Sequence, residues 1–115
     1  MEEIGDCAFE NCSALSAIEF NRDLTVIGSS AFMDCVSLVS LELPDSLQVI
    51  SSEAFRGCTS LEKVIIPSSV KELGWGLFDG CEHIVTVYCD EGSAAQEYCR
   101  RAGIREARIT DREED

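Results

Sequence analysis

Apolar and polar positions along this chain recur at a fixed spacing. The stretch GSSAFMDCVSLVSLELPDSLQVI, residues 28–50, matches the next stretch, SSEAFRGCTSLEKVIIPSSVKEL, position for position after a shift of 23 residues. One column holds Phe9, Phe32, Phe55 and Phe78, and another holds Cys12, Cys35, Cys58 and Cys81. Leu15, Leu38, Leu61 and Ile84 make a third, Ile18, Leu41, Val64 and Val87 a fourth, and Phe20, Leu43, Ile66 and Cys89 a fifth. Leu24, Leu47 and Val70 align, as do Ile4, Ile27, Ile50 and Leu73. A unit this short cannot bury its own apolar face, so stacked units must share one continuous core built from ladders of like residues. The pattern therefore predicts a solenoid of about four turns, the first incomplete, over residues 1–90.

Within a unit the alternation of Leu41 and Leu43 predicts a short strand with those two side chains inward. Pro44 and Pro67 follow that strand and end it, because proline has no N–H to give to a ladder. Residues 46–50 read as a second extended piece, and Gly28, Ser51 and Gly74 share a column suited to a tight turn. The Ala-Phe pair is expected on a short helical or 3₁₀ turn opposite the main strand. After Cys89 the period stops. Ser93 is placed as an N-cap with Gln96 completing a capping box, Ala95, Tyr98, Cys99 and Ala102 share a helical face, and Gly103 stands at C′. Residues 104–109 then supply a strand, so 91–110 reads as a cap on the last turn and 111–115 as a tail.

The residues LPDSLQVISSEAFRGCTSLEKVIIP resemble the BspA-type leucine-rich repeat family, from about Ile4 to Asp90. The A-F-x-x-C core, the L-x-x-[LIV]-x-[LI] strand and the P-x-S-[LV] turn recur in register. Departures are Leu77 for Ala, Asn21 and Asp90 for Pro, and Cys89 for an aliphatic residue or Phe. The resemblance implies an α/β solenoid: a right-handed coil of short parallel strands, closed here by a helix-strand cap. It also implies a part of a bacterial cell-surface or secreted protein, with adhesion to host or matrix proteins as one use.

Composition narrows the chemistry. With 9 basic and 22 acidic residues the net charge is −13, which repels phosphate backbones and anionic membrane surfaces. No apolar run approaches the roughly 20 residues needed to insert into a bilayer. The chain enters a repeat almost at once with no basic and apolar leader, and the expectation is a segment of a longer protein.

Seven cysteines invite a metal or a nucleophile. The Cys12–Cys81 column instead predicts a line of thiols one turn apart, which cannot converge on a zinc ion or meet disulfide geometry. Such thiols pack as small apolar groups. Cys7 shares its column with Ser30, Glu53 and Gly76 and is expected at the surface, where it can crosslink copies. Cys89 and Cys99 read as packed free thiols, a mutual disulfide being the alternative. His83, the lone histidine, falls on a turn position shared with Ser37 and Ser60 and is read as a surface residue rather than as the base of a Cys81 nucleophile. No catalytic, metal or cofactor-binding residue is assigned.

Recognition is expected on the outward positions of the strands: Ala17 and Glu19, Ser40 and Glu42, Lys63 and Ile65, Thr86 and Tyr88. Glu19 and Glu42 make one half of this strip acidic, whereas Ile65 and Tyr88, with Lys63 alongside, offer an apolar anchor for a protein partner. Trp75, between Gly74 and Gly76, is a second exposed candidate. The uncapped N-terminal edge predicts self-association.

Overall fold

The structure, a computed structural model, describes residues 2–81 and 86–109. The chain coils into a parallel β-solenoid of about four turns with a repeat of about 23 residues and a C-terminal helix. Strands from successive turns build two parallel sheets. One is built from β1 (Glu2–Ile4), β2 (Leu24–Ile27), β4 (Val49–Ile50) and β6 (Glu72–Leu73), in that order. The other runs β3 (Ser40–Glu42), β5 (Lys63–Ile65), β7 (Thr86–Cys89) and β8 (Arg105–Arg108). Register follows the sequence columns: Leu41 pairs Val64, which pairs Val87, and Ile27 pairs Ile50, which pairs Leu73.

The core lies between the sheets and the turns. Ile27, Phe32, Cys35, Leu38, Ile50, Phe55, Cys58, Leu61 and Val64 are wholly buried. The Phe9, Phe32, Phe55 and Phe78 rings stack at centroid separations of 5.2, 5.7 and 5.8 Å, nearly parallel. Stacks of this spacing add to the area they bury.

The side carrying the Ala-Phe pair is neither helical nor 3₁₀, contrary to expectation. It is bonded turn to turn. The N–H groups of Cys7, Phe9 and Asn11 donate to the carbonyls of Ser29, Ala31 and Met33, and those of Ser30, Phe32 and Asp34 donate to Ser52, Ala54 and Arg56. The intervening N–H groups turn back within the unit, from Ala31 to Gly28, from Met33 to Ser30 and from Cys35 to Phe32. This alternation requires left-handed backbone at two positions per unit. Cys7, Ser30, Glu53 and Gly76 take φ between 56° and 67°, and Asn11, Asp34, Gly57 and Gly80 between 61° and 77°. Asn and Asp tolerate that region better than most residues, whereas Ser30 and Glu53 hold it because the inter-turn bonds determine the backbone there.

The corner after each main strand is also uniform. Leu47 N–H donates to Pro44 C=O and Val70 N–H to Pro67 C=O, and Leu24 to Asn21 and Ser93 to Asp90 make the same turn without proline. Asn21 reinforces its copy through its side chain, which accepts from Asp23 N–H at 2.8 Å.

Two local expectations are corrected. Residues 17–20 form no strand. That segment, in the first turn of this chain, has a neighbour on one side only, and its tie to the stack, Val39 N–H to Ser16 C=O, is long at 3.5 Å. In α1 (Ala94–Ala102) the buried residues are Ala95, Gln96 and Cys99, while Tyr98 is half-buried and Ala102 exposed. Ser93 does cap the helix, accepting from Gln96 N–H at 3.2 Å, but the Gln96 side chain accepts from Gly92 N–H at 2.8 Å rather than from Ser93. Its other end donates to Glu106 at 2.9 Å, which ties α1 to β8. Gly103 takes φ 73° at C′.

Candidate protein-interaction surface

Strands of the second sheet direct every other residue away from the core. Ser40, Lys63, Thr86 and Arg105 form one cross-strand row, and Glu42, Ile65, Tyr88 and Ala107 the next. Inward rows repeat the same kind of side chain in each turn, whereas these outward rows change from turn to turn. Ser40 and Glu42 are exposed, and Lys63, Thr86 and Tyr88 are half-buried. Glu19 is exposed but lies on the strandless first-turn segment.

Ile65 departs from expectation. It points outward but is only 7% exposed, between in-register Glu42 and Tyr88, and it lines a surface depression together with Pro67 and Ile109. The accessible apolar element of the strip is therefore Tyr88, flanked by Thr86 and Lys63 in a shallow depression that Val39, Ser40 and Glu62 complete. Trp75, at 67% exposure, stands out fully on a turn corner. The preceding turn holds its backbone: the Trp75 N–H donates to Ser52 Oγ at 3.3 Å, and its carbonyl accepts from Glu53 N–H at 2.9 Å.

The cysteine column has a defined structural use that its spacing did not reveal. Cys35 Sγ donates to Phe9 C=O at 3.1 Å, Cys58 to Phe32 at 3.2 Å and Cys81 to Phe55 at 3.4 Å. Each thiol thus bridges to the Phe carbonyl of the preceding turn. Burial pushes the Cys58 thiol up to about 12 and Cys81 to about 11, which disfavours the thiolate a nucleophile or metal ligand would need. Cys99, buried where α1 meets the stack, is pushed up to about 12 by the same cause, and burial raises Cys89 as well. Cys89 and Cys99 are free thiols. Cys7 is exposed, and hydrogen bonding with Glu10 holds it above its ordinary value. Among the described residues no group of three or more potential ligands can hold a metal ion. His83 lies outside the described residues, so its pairing with Cys81 has no structural description.

The described residues contain no helix long and apolar enough to cross a membrane. No curated protein matches the chain. Among solved structures it is similar to a leucine-rich repeat protein from Bacteroides ovatus, with 30% identity and a TM-score of 0.80 over 93% of this chain and 28% of that one. It is also similar to a leucine rich cell surface protein from Faecalibacterium prausnitzii, with 37% identity and a TM-score of 0.74 over 82% of this chain and 24% of that one. The pneumococcal vaccine antigen PcpA is 38% identical, with a TM-score of 0.66 over 80% of this chain and 23% of the antigen. The chain thus spans about a quarter of the length of these relatives. Residues 1–99 match the family model described as BspA type leucine rich repeat region (6 copies). Repeats of this kind typically form non-catalytic, protein-binding modules. With the columns, the two parallel sheets and this match in agreement, the chain belongs to the BspA-type leucine-rich repeat family.

Proposed function

We propose that this chain is a non-catalytic protein-binding module of a bacterial cell-surface or secreted protein, and that it engages a host or matrix protein through the outward strip of the second sheet. The observation carrying this reading is the contrast within one sheet. Inner rows repeat because every turn must fill the same core, whereas the outer rows Ser40–Lys63–Thr86–Arg105 and Glu42–Ile65–Tyr88–Ala107 change from turn to turn. Tyr88 is the anchor, with an apolar ring and a hydroxyl that suit the desolvated centre of an interface. Lys63 and Thr86 flank it, and Glu42 and Glu19 extend the strip into an acidic end that favours a basic partner surface.

The test is surface plasmon resonance against a panel of immobilised host extracellular-matrix proteins. Tyr88→Ser combined with Lys63→Glu should weaken binding about tenfold or more, the scale of one lost anchor, with an unchanged melting temperature. Trp75→Ser on the far corner should leave it intact. The reverse ranking moves recognition to the turn corner, and no binding to any member of the panel favours a structural spacer whose parent chain binds elsewhere.

A further inference from the structure

Asp90 breaks the proline column. Pro44 and Pro67 end the main strand in the two turns before it, and Asp90 makes the same corner without the ring, its carbonyl accepting from Ser93 N–H at 3.2 Å. Asn21, also in that column, spends its side chain on Asp23 N–H. The Asp90 carboxylate takes no hydrogen bond or ion pair among the described residues, and neither does that of Asp45. Both are exposed, and both line one depression of about 600 Å³ at the corner that follows the second sheet. Its floor is apolar: Leu43, Ile65 and Pro67 are buried, and half-buried Ile109 adds to it. Asp45 comes from the turn before Pro67 and Asp90 from the turn after it, two strand spacings or roughly 10 Å apart along the stack. In the wall between them, the Ser69 hydroxyl is buried with no partner among the described residues, although the Ser46 hydroxyl one turn earlier donates to Leu24 C=O at 2.6 Å.

We propose that this depression seats one lysine or arginine side chain of a protein partner. The inference deepens the reading given under Proposed function and rests on it only in placing a partner on this side of the molecule. The aliphatic stem of such a side chain covers Ile65 and Pro67, as long cationic side chains do on apolar surface. Its head lies between Asp45 and Asp90, within reach of the Ser69 hydroxyl as an acceptor. Exposed Glu42 stands at the same mouth, so three carboxylates face the single cation Lys71, which forms no salt bridge with Asp45 or Asp90. A neutral or acidic side chain would leave the two aspartates without a counter-charge. A metal ion does not fit, since no group of three ligands converges among the described residues. A second copy is a poor source of the cation. Copies carrying a net charge of −13 repel one another, and three of the four cap arginines are already committed, Arg100 and Arg108 to Glu106 and Arg101 to Glu97.

The experiment titrates the full chain, in reductant, with a short capped peptide of alternating lysine and serine, and follows backbone amide shifts by nuclear magnetic resonance. The same peptide with acetylated lysines is the control for charge. Shifts should centre on Ser68, Ser69, Lys71 and Asp90 and vanish with the acetylated peptide. Asp45→Asn with Asp90→Asn should weaken binding roughly fivefold, the scale of two exposed ion pairs, with an unchanged melting temperature. Glu2→Gln with Glu3→Gln removes the same charge elsewhere and should leave binding within twofold. Equal losses in the two double variants reduce the effect to diffuse attraction and overturn the proposal, as do shifts centred away from the depression. A dimer of the chain that disappears in Asp45→Asn with Asp90→Asn would make a second copy the occupant and overturn it too. The two readings fail separately. If the peptide seats here but no matrix protein binds, the host-protein reading fails and the seat stands. If a matrix protein binds equally well to the Asp45→Asn, Asp90→Asn variant, the seat fails and that reading stands.

Discussion

Cys58 is wholly buried, its thiol donating to Phe32 C=O, and it stays protonated well beyond the usual thiol range. That has a consequence for stability. On unfolding, its pKa falls from about 12 to the ordinary 9.0, so above pH 9 the unfolded chain has released a proton that the folded chain retains. Stability from this group is complete below pH 9 and is lost as pH rises from there through about 12. Cys81 and Cys99 act in the same sense. Each costs up to about 1.4 kcal/mol per pH unit in that window. Thermal melts should be level from pH 7 to 8.5 with respect to these groups and then fall by several degrees per unit, and a melting temperature constant to pH 10.5 would contradict the account. The presence of this column was legible from its period. Its hydrogen bonds were not, because a periodic Cys fits any small apolar slot equally well, and only the carbonyl aimed at the sulfur distinguishes a donor from filler.

At the scale of elements, the strand pairings followed directly from the columns, since stacking at a fixed period fixes register. The turn side was less legible. Left-handed backbone at Cys7, Ser30 and Glu53 carries no glycine to announce it, although Gly76 stands in that column and Gly57 and Gly80 in its companion. The cap helix was legible through Ser93 and Gly103. Its polar inner residue was not, because Gln96 is buried only by virtue of bonding Gly92 on one side and Glu106 on the other. Gly74 makes a sharper test of how closely turns approach. A Cβ there would lie 2.3 Å from Ser52 N and 2.5 Å from Ser52 Cα, backbone atoms that cannot rotate away. Gly74→Ala should destabilise the chain by about 2 kcal/mol or more, in the range of overpacked cores, measured by urea unfolding. Gly103→Ala, where nothing lies within 4 Å of the added Cβ, should cost only the smaller penalty of its positive φ.

For the whole molecule, the repeat assigns different work to its faces. Phe and Cys columns, the left-handed turns and the inward strand rows make a stack whose parts are alike and chemically quiet, so the features most conspicuous in the sequence are scaffold. The surface proposed for recognition is the least repetitive one, and its anchor could be read only in part. Tyr88 stays half-exposed, but Ile65 is only 7% exposed between its in-register neighbours Glu42 and Tyr88. The most direct measurement is photo-crosslinking to a matrix protein that the chain binds, with the photoreactive residue at position 86 on the strip or at position 34 on the turn face. Strip recognition predicts crosslinks from 86 and none from 34, whereas crosslinks from 34 alone, or equally from both, would contradict it.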